Sequence, residues 1–150
     1  MARPDPAPTT TDPVSLADRL RPVLLHLNRH LRREVHALGI SAGQVSILTA
    51  IKNRPGIGVA ELAAQEGTSS PSVCVHVDRL EAAGLVTRKR AEAADRRRVG
   101  LAVTPDGHRV LRTVRSRRTA WLAARLAALT PKQRDEVAQA IDGLSALVQP

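Results

Sequence analysis

The sequence predicts a mainly α-helical domain that carries one small β-hairpin, and two observations predict it. Apolar residues recur at steps of three or four along most of the 150 residues, the period of helices with one buried face. Near the middle, residues 85–90 and 99–104 instead alternate apolar and polar, the period of half-buried strands. The length fits one domain with a modest core.

The hairpin is part of a longer unit, residues 68–104, around which the chain is organised. Ser69 and Ser70 are both candidate N-caps, because a serine hydroxyl accepts a hydrogen bond from an orphan N–H of the first turn. Pro71 suits that first turn, where a missing N–H costs little. The helix then runs to about Ala83, and Gly84 is a natural left-handed stop. Val73, Val77 and Leu80 form its core face. Ser72, Val75 and Arg79 fall nearly opposite, with Pro71 and Asp78 to one side and His76 to the other. A polar first turn followed by an arginine suits a helix that enters a DNA major groove by its N-terminal half.

Leu85 and Val86 open the first strand. Val99, Leu101 and Val103 mark the inward face of the second. Arg88, Lys89 and Arg90 lead into a turn at 91–94, and Asp95, Arg96, Arg97 and Arg98 lead out. Six basic residues on one hairpin repel one another unless an anion lies alongside, and duplex phosphates provide one. A solvated charge run is the plain alternative.

These strings, in this order, resemble the MarR family of bacterial winged helix-turn-helix transcription regulators. The likeness rests on Gln44 in an S-A-G-Q helix start, V-A-E-L-A at 59–63, and V-D-R-L-E at 77–81 followed by Gly84-Leu85-Val86. It rests also on Asp95-Arg96-Arg97, which matches a D-x-R wing signature, with T-x-x-G at Thr104 and Gly107. It covers roughly residues 16–148. Each string alone is weak; their order and spacing are specific.

The resemblance implies a winged helix-turn-helix lobe at 41–104, dimerisation helices at 13–38 and 105–150, and a homodimer. It implies a double-stranded, pseudo-palindromic operator, contacted by Ser69, Ser70, Pro71, Ser72, Val75, His76 and Arg79. The wing contacts would be Arg88, Arg90, Asp95, Arg96, Arg97 and Arg98, with Arg97 entering the minor groove and Asp95 orienting its guanidinium. Family members often have arginine where this chain has Val75, which can meet only a thymine methyl or the sugar wall. The family's usual base pattern is therefore in doubt here, though not DNA binding. A small-molecule pocket between the dimerisation helices and the lobe is also implied, and with it a repressor released by an effector.

Composition agrees. The formal charge is +9, nearly all from arginine, and Trp121 is the sole aromatic residue among Phe, Tyr and Trp. Binders of single strands and most RNA modules stack bases on aromatic side chains, so a duplex is the better partner. The chain has no signal peptide and no long apolar run, which points to a cytoplasmic bacterial protein without a membrane partner. One cysteine excludes an intramolecular disulfide.

In order along the chain, residues 1–12 hold Pro4, Pro6 and Pro8 among small polar residues and predict a disordered tail. Asp12 or Ser15 caps a first helix whose Leu16, Leu20, Leu24, Leu27, Leu31, Val35 and Leu38 form a stripe too long for one short neighbour to cover. Arg29, Arg32 and Arg33 line its polar side. Ser41 to Gln44 is a capping box, opening a helix that ends near Asn53. Residues 59–66 form the positioning helix, with Ala60, Leu62 and Ala63 expected mostly in the core. Thr104-Pro105 starts a helix whose first half carries Arg109, Arg112, Arg115, Arg117 and Arg118. Thr130 to Gln133 is a second capping box, before a last helix bearing Val137, Ile141, Leu144, Leu147 and Val148.

No residue set supports catalysis: there is no G-x-S-x-G, no P-loop and no carboxylate pair that sequence can support. No cofactor is implied. His26 and His30 stand at i, i+4, a metal-ligand spacing that Glu34 continues, but two histidines without a wider ligand set predict no metal site. Cys74 lies at the edge of the core face and reads as a packing residue, with no evident cationic neighbour to activate it. The remaining alternatives are an architectural protein that coats DNA without sequence preference and a redox- or metal-responsive regulator.

Overall fold

The computed structural model describes residues 12–90 and 99–148. Six helices and one hairpin follow in order: α1 (Pro13–His36), α2 (Ala42–Asn53), α3 (Val59–Gln65), α4 (Ser70–Ala82), β1 (Val86–Arg90), β2 (Val99–Val103), α5 (Pro105–Ala127) and α6 (Pro131–Ala146). The mainly helical class with a two-stranded antiparallel wing is as the sequence predicts. The predicted tail and the wing tip, including Asp95, Arg96, Arg97 and Arg98, lie outside the described residues.

Local chemistry sets the helix starts. Asp12, rather than Ser15, caps α1: its carboxylate accepts from the Ser15 N–H at 3.1 Å. Ser41 accepts from Gln44 N–H at 3.1 Å while Gln44 Oε1 accepts from Ser41 N–H at 2.9 Å, closing the first capping box. Thr130 and Gln133 do the same for α6. At α4 the cap is Ser69, and Ser70 is already helical. Pro22 stands inside α1. Its missing N–H removes one helical hydrogen bond, yet the helix continues through it.

The core is one cluster beneath the lobe. Leu48 and Ile51 of α2, Leu62 of α3, Val73, Val77 and Leu80 of α4, and Leu101 of β2 are all almost fully buried. Val35 from the end of α1 and Val114 from α5 close it. Ala60, expected in the core, is exposed, because a seven-residue helix can bury only a narrow face and Leu62 and Ala63 take it.

The join of α4 to the wing fixes the register of everything after it. Gly84 adopts φ +72°, and its N–H reaches Glu81 C=O while Leu85 N–H reaches Leu80 C=O, each at 2.9 Å. This is a Schellman termination. It engages the Leu85 N–H, so the first strand begins at Val86 and not at Leu85. β1 then pairs antiparallel with β2, Val86 opposite Val103 and Arg90 opposite Val99. The loop before α3 adds to the sheet edge: Gly56 N–H reaches Leu101 C=O at 2.8 Å, and Leu101 N–H reaches Ile57 C=O at 3.0 Å.

The base of the wing is held by Thr104 and Gly107. Thr104 Oγ1 donates to Gly84 C=O at 2.6 Å and accepts from Gly107 N–H at 3.0 Å. A Cβ at Gly107 would lie 2.3 Å from the Leu85 carbonyl oxygen, so glycine alone fits there. The T-x-x-G string is thus the clamp that ties the start of α5 to the end of α4.

Candidate nucleic-acid interface

The outer face of α4 presents Pro71, Ser72, Val75 and Arg79 to solvent, opposite the buried Val73, Val77 and Leu80. Ser69 and Ser70 are exposed at its start. The Ser69 hydroxyl accepts from Ser72 N–H at 3.4 Å and lies 3.0 Å from the Ser72 hydroxyl, so the first turn is a paired hydroxyl platform. Arg79 has no ion-pair partner among the described residues. Val75 is 48% exposed, an apolar contact at the centre of an otherwise polar face.

His76, expected at the groove, lies to one side of this face. Its ring rests against the first turn of α2, where a Cβ at Gly43 would lie 3.1 Å from Nε2, and its Nδ1 is enclosed without a hydrogen-bond partner among the described residues. It is half-buried and turned from the outer face toward α2.

Arg88, expected as a DNA contact, lies at the base of the wing against α4. Its guanidinium lies 2.6 Å from the Asp78 carboxylate and 3.5 Å from that of Glu81. Strand alternation explains this: Arg88 pairs with Leu101 and shares the face of the buried Val86, so its side chain leans onto α4. Two carboxylates offset its charge, and the residue braces the wing on the helix. Lys89 falls on the other strand face, is exposed and has no ion-pair partner among the described residues, so it is a further cation beside the expected contacts. The alternation of β1 was the signal for it. Arg90 closes the strand opposite Val99.

Behind α4 lies an open cleft of about 640 Å³. Asn28 and Arg32 of α1, Ser46 of α2, Glu66 after α3, His76 of α4 and Arg118 of α5 contribute to its walls. Glu66 accepts from the Ser46 hydroxyl at 2.5 Å. Arg118 Nε, like His76 Nδ1, is enclosed with no partner among the described residues. Enclosed polar atoms without partners are uncommon, and two on one cleft mark it as a place for a ligand group or water. Cys74 is half-buried. The described residues contain no group of three or more His, Cys, Asp or Glu that could hold a metal ion. No described helix is long and apolar enough to cross a membrane.

Comparison with known proteins agrees with this geometry. The MarR family model matches residues 40–99. An HTH-type transcriptional regulator of Mycobacterium bovis is 32% identical over 133 residues, covering 89% of this chain and 92% of that protein. The crystal structure of a transcriptional regulator protein from Pseudomonas aeruginosa superposes with a TM-score of 0.78 at 31% identity, covering 95% of this chain and 99% of that one. A mutant of MepR from S. aureus, solved bound to an oligodeoxyribonucleotide, shares the fold with a TM-score of 0.69 at 16% identity, covering 89% of this chain and 98% of that one. With its winged helix, its clamp at the wing base and these relatives, the chain belongs to the MarR family of transcriptional regulators.

Proposed function

We propose that this regulator is a homodimeric repressor that reads a pseudo-palindromic duplex operator and is released by a small molecule bound in the cleft behind α4. The observation that carries the DNA reading is the outer face of α4: Ser72, Val75 and Arg79 are exposed there, and Arg79 has no ion-pair partner among the described residues. Ser69, Ser70 and Pro71 reach the groove edge. Arg90, Arg96, Arg97 and Arg98 follow the phosphates and the minor groove, with Asp95 orienting Arg97. Lys89 joins them, and Arg88 holds the wing in place. The MepR complex with an oligodeoxyribonucleotide supports the use of this fold on DNA.

The division into dimerisation helices at 13–38 and 105–150 and a lobe at 41–104 belongs to the same reading. So does a cytoplasmic location, where a duplex operator is found. The effector reading rests on the two enclosed polar atoms. A ligand offering acceptor oxygens would satisfy Arg118 Nε from α5 and, in the proper tautomer, His76 Nδ1 from α4. It would thereby favour one placement of the recognition helix relative to the dimerisation helices, and groove spacing turns such a shift into lost affinity.

The test is to sequence the duplex fragments that the purified protein retains and to compare the selected duplex with its scramble. Arg79→Ala should cost about 1–3 kcal/mol on the selected duplex and much less on the scramble. Asp95→Ala should weaken binding although it removes a negative charge. Equal affinity of the wild type for selected and scrambled duplexes would make the protein a non-specific coat instead.

A further inference from the structure

Away from the cleft, four side chains form one stack between α1 and α5. His26 and His30 stand one turn apart with Nε2 to Nε2 at 3.1 Å. Their rings meet edge-on, with centroids 4.7 Å apart. His30 lies nearly parallel on Trp121 of α5, with centroids 5.2 Å apart and 19° between planes. Arg125 lies over the same indole at 4.7 Å.

From this geometry we infer that His26 and His30 form a two-point chelate for a borderline divalent transition metal such as Zn²⁺ or Cu²⁺, with solvent filling the other positions. The nitrogen separation is the argument. Metal–imidazole bonds of about 2.0–2.1 Å place two nitrogens about 2.9 Å apart at a right angle and about 3.3 Å apart at a tetrahedral angle. The observed 3.1 Å lies between these values, so the two nitrogens already stand at a chelating separation. Spacing along a helix alone does not give this; the rings could as well have pointed apart.

The surroundings keep the ligands ready. Metal binding needs neutral imidazole. Desolvation, and then the charges of His26, Arg33, Arg125 and Arg29, lower the His30 pKa from its usual 6.5. Without metal, one ring donates from Nε2 to the other. On chelation that proton moves through solvent to Nδ1 of the same ring, and no net proton is released. The cations named oppose a second cation electrostatically, so added salt should not weaken this site as it weakens binding to surface carboxylates. An ion there would staple one turn of α1 and, through the His30–Trp121 stack, hold α1 on α5.

Trp121 is the only tryptophan and the chain has no tyrosine, so its fluorescence reports on this stack alone. The untagged full chain is titrated with CuCl₂, and the melting temperature is measured with and without ZnCl₂. Saturable quenching at one ion per chain is expected, about a hundredfold weaker in His26→Ala and in His30→Gln because a chelate loses its second point of attachment. His36→Ala and His108→Ala should leave the curve unchanged. ZnCl₂ should raise the melting temperature of the wild type and not of His26→Ala, since an ion that binds only the folded chain stabilises it. Absence of saturable quenching, or the same curve in His26→Ala and the wild type, would overturn the inference.

Discussion

The lobe and the outer helices solve burial in opposite ways. From α2 to β2 the chain builds a core that Val35 of α1 and Val114 of α5 close: Leu48, Ile51, Leu62, Leu80 and Leu101 are essentially inaccessible. Along α1 and α6 the same kind of periodic apolar residue stays open. Leu16, Val23, Leu24 and Leu25 are exposed on α1, and Val137, Ile141 and Leu144 on α6, where no residue is buried. Exposed apolar surface on this scale marks an interaction face. The lobe buries its apolar residues within the chain; the outer faces of α1 and α6 have the form of half an interface, and a second copy is the partner that our reading assigns to it.

The contrast predicts unequal responses to the same substitution. Leu48→Ala should be the largest effect, about 2–5 kcal/mol in a denaturant titration, because the site is enclosed and cannot refill. Leu147→Ala, at a residue 68% exposed, should leave the stability of the lobe unchanged and act only on association. Comparable losses at both positions would erase the distinction. Arg88→Ala should be the smallest effect, at most about 1 kcal/mol in stability, because its bridges to Asp78 and Glu81 are all more than a third exposed and solvent screens them. Its consequence should instead appear as looser wing placement, read as weaker binding to selected duplex with the dependence on salt largely kept. A drop in the salt slope by a full phosphate contact would make Arg88 a direct ligand of DNA.

What was legible in the sequence was what short-range chemistry decides. The caps at Ser41 and Thr130, the Gly84 stop, the wing strands and the core face of α4 all follow from neighbours within a few residues. What was not legible depends on a second element. Arg88 looked like one more wing cation until β1 was seen leaning on the acids of α4. The helical wheel sets His76 to one side of the outer face, but the glycine that makes room for its ring is on α2. Leu85 is counted out of the strand by a hydrogen bond that closes the preceding helix. The His26–His30 spacing was visible, while the direction in which the two nitrogens point was not.

Sedimentation of the purified chain at micromolar concentration, with Ile141→Asp beside it, tests the division most directly. The wild type should run at about twice 16.1 kDa. Ile141→Asp, which places a charge on the open face of α6, should run as a monomer with its helical circular dichroism kept and its affinity for a two-half-site duplex lost. A wild-type monomer that still binds a palindromic duplex tightly would contradict the account.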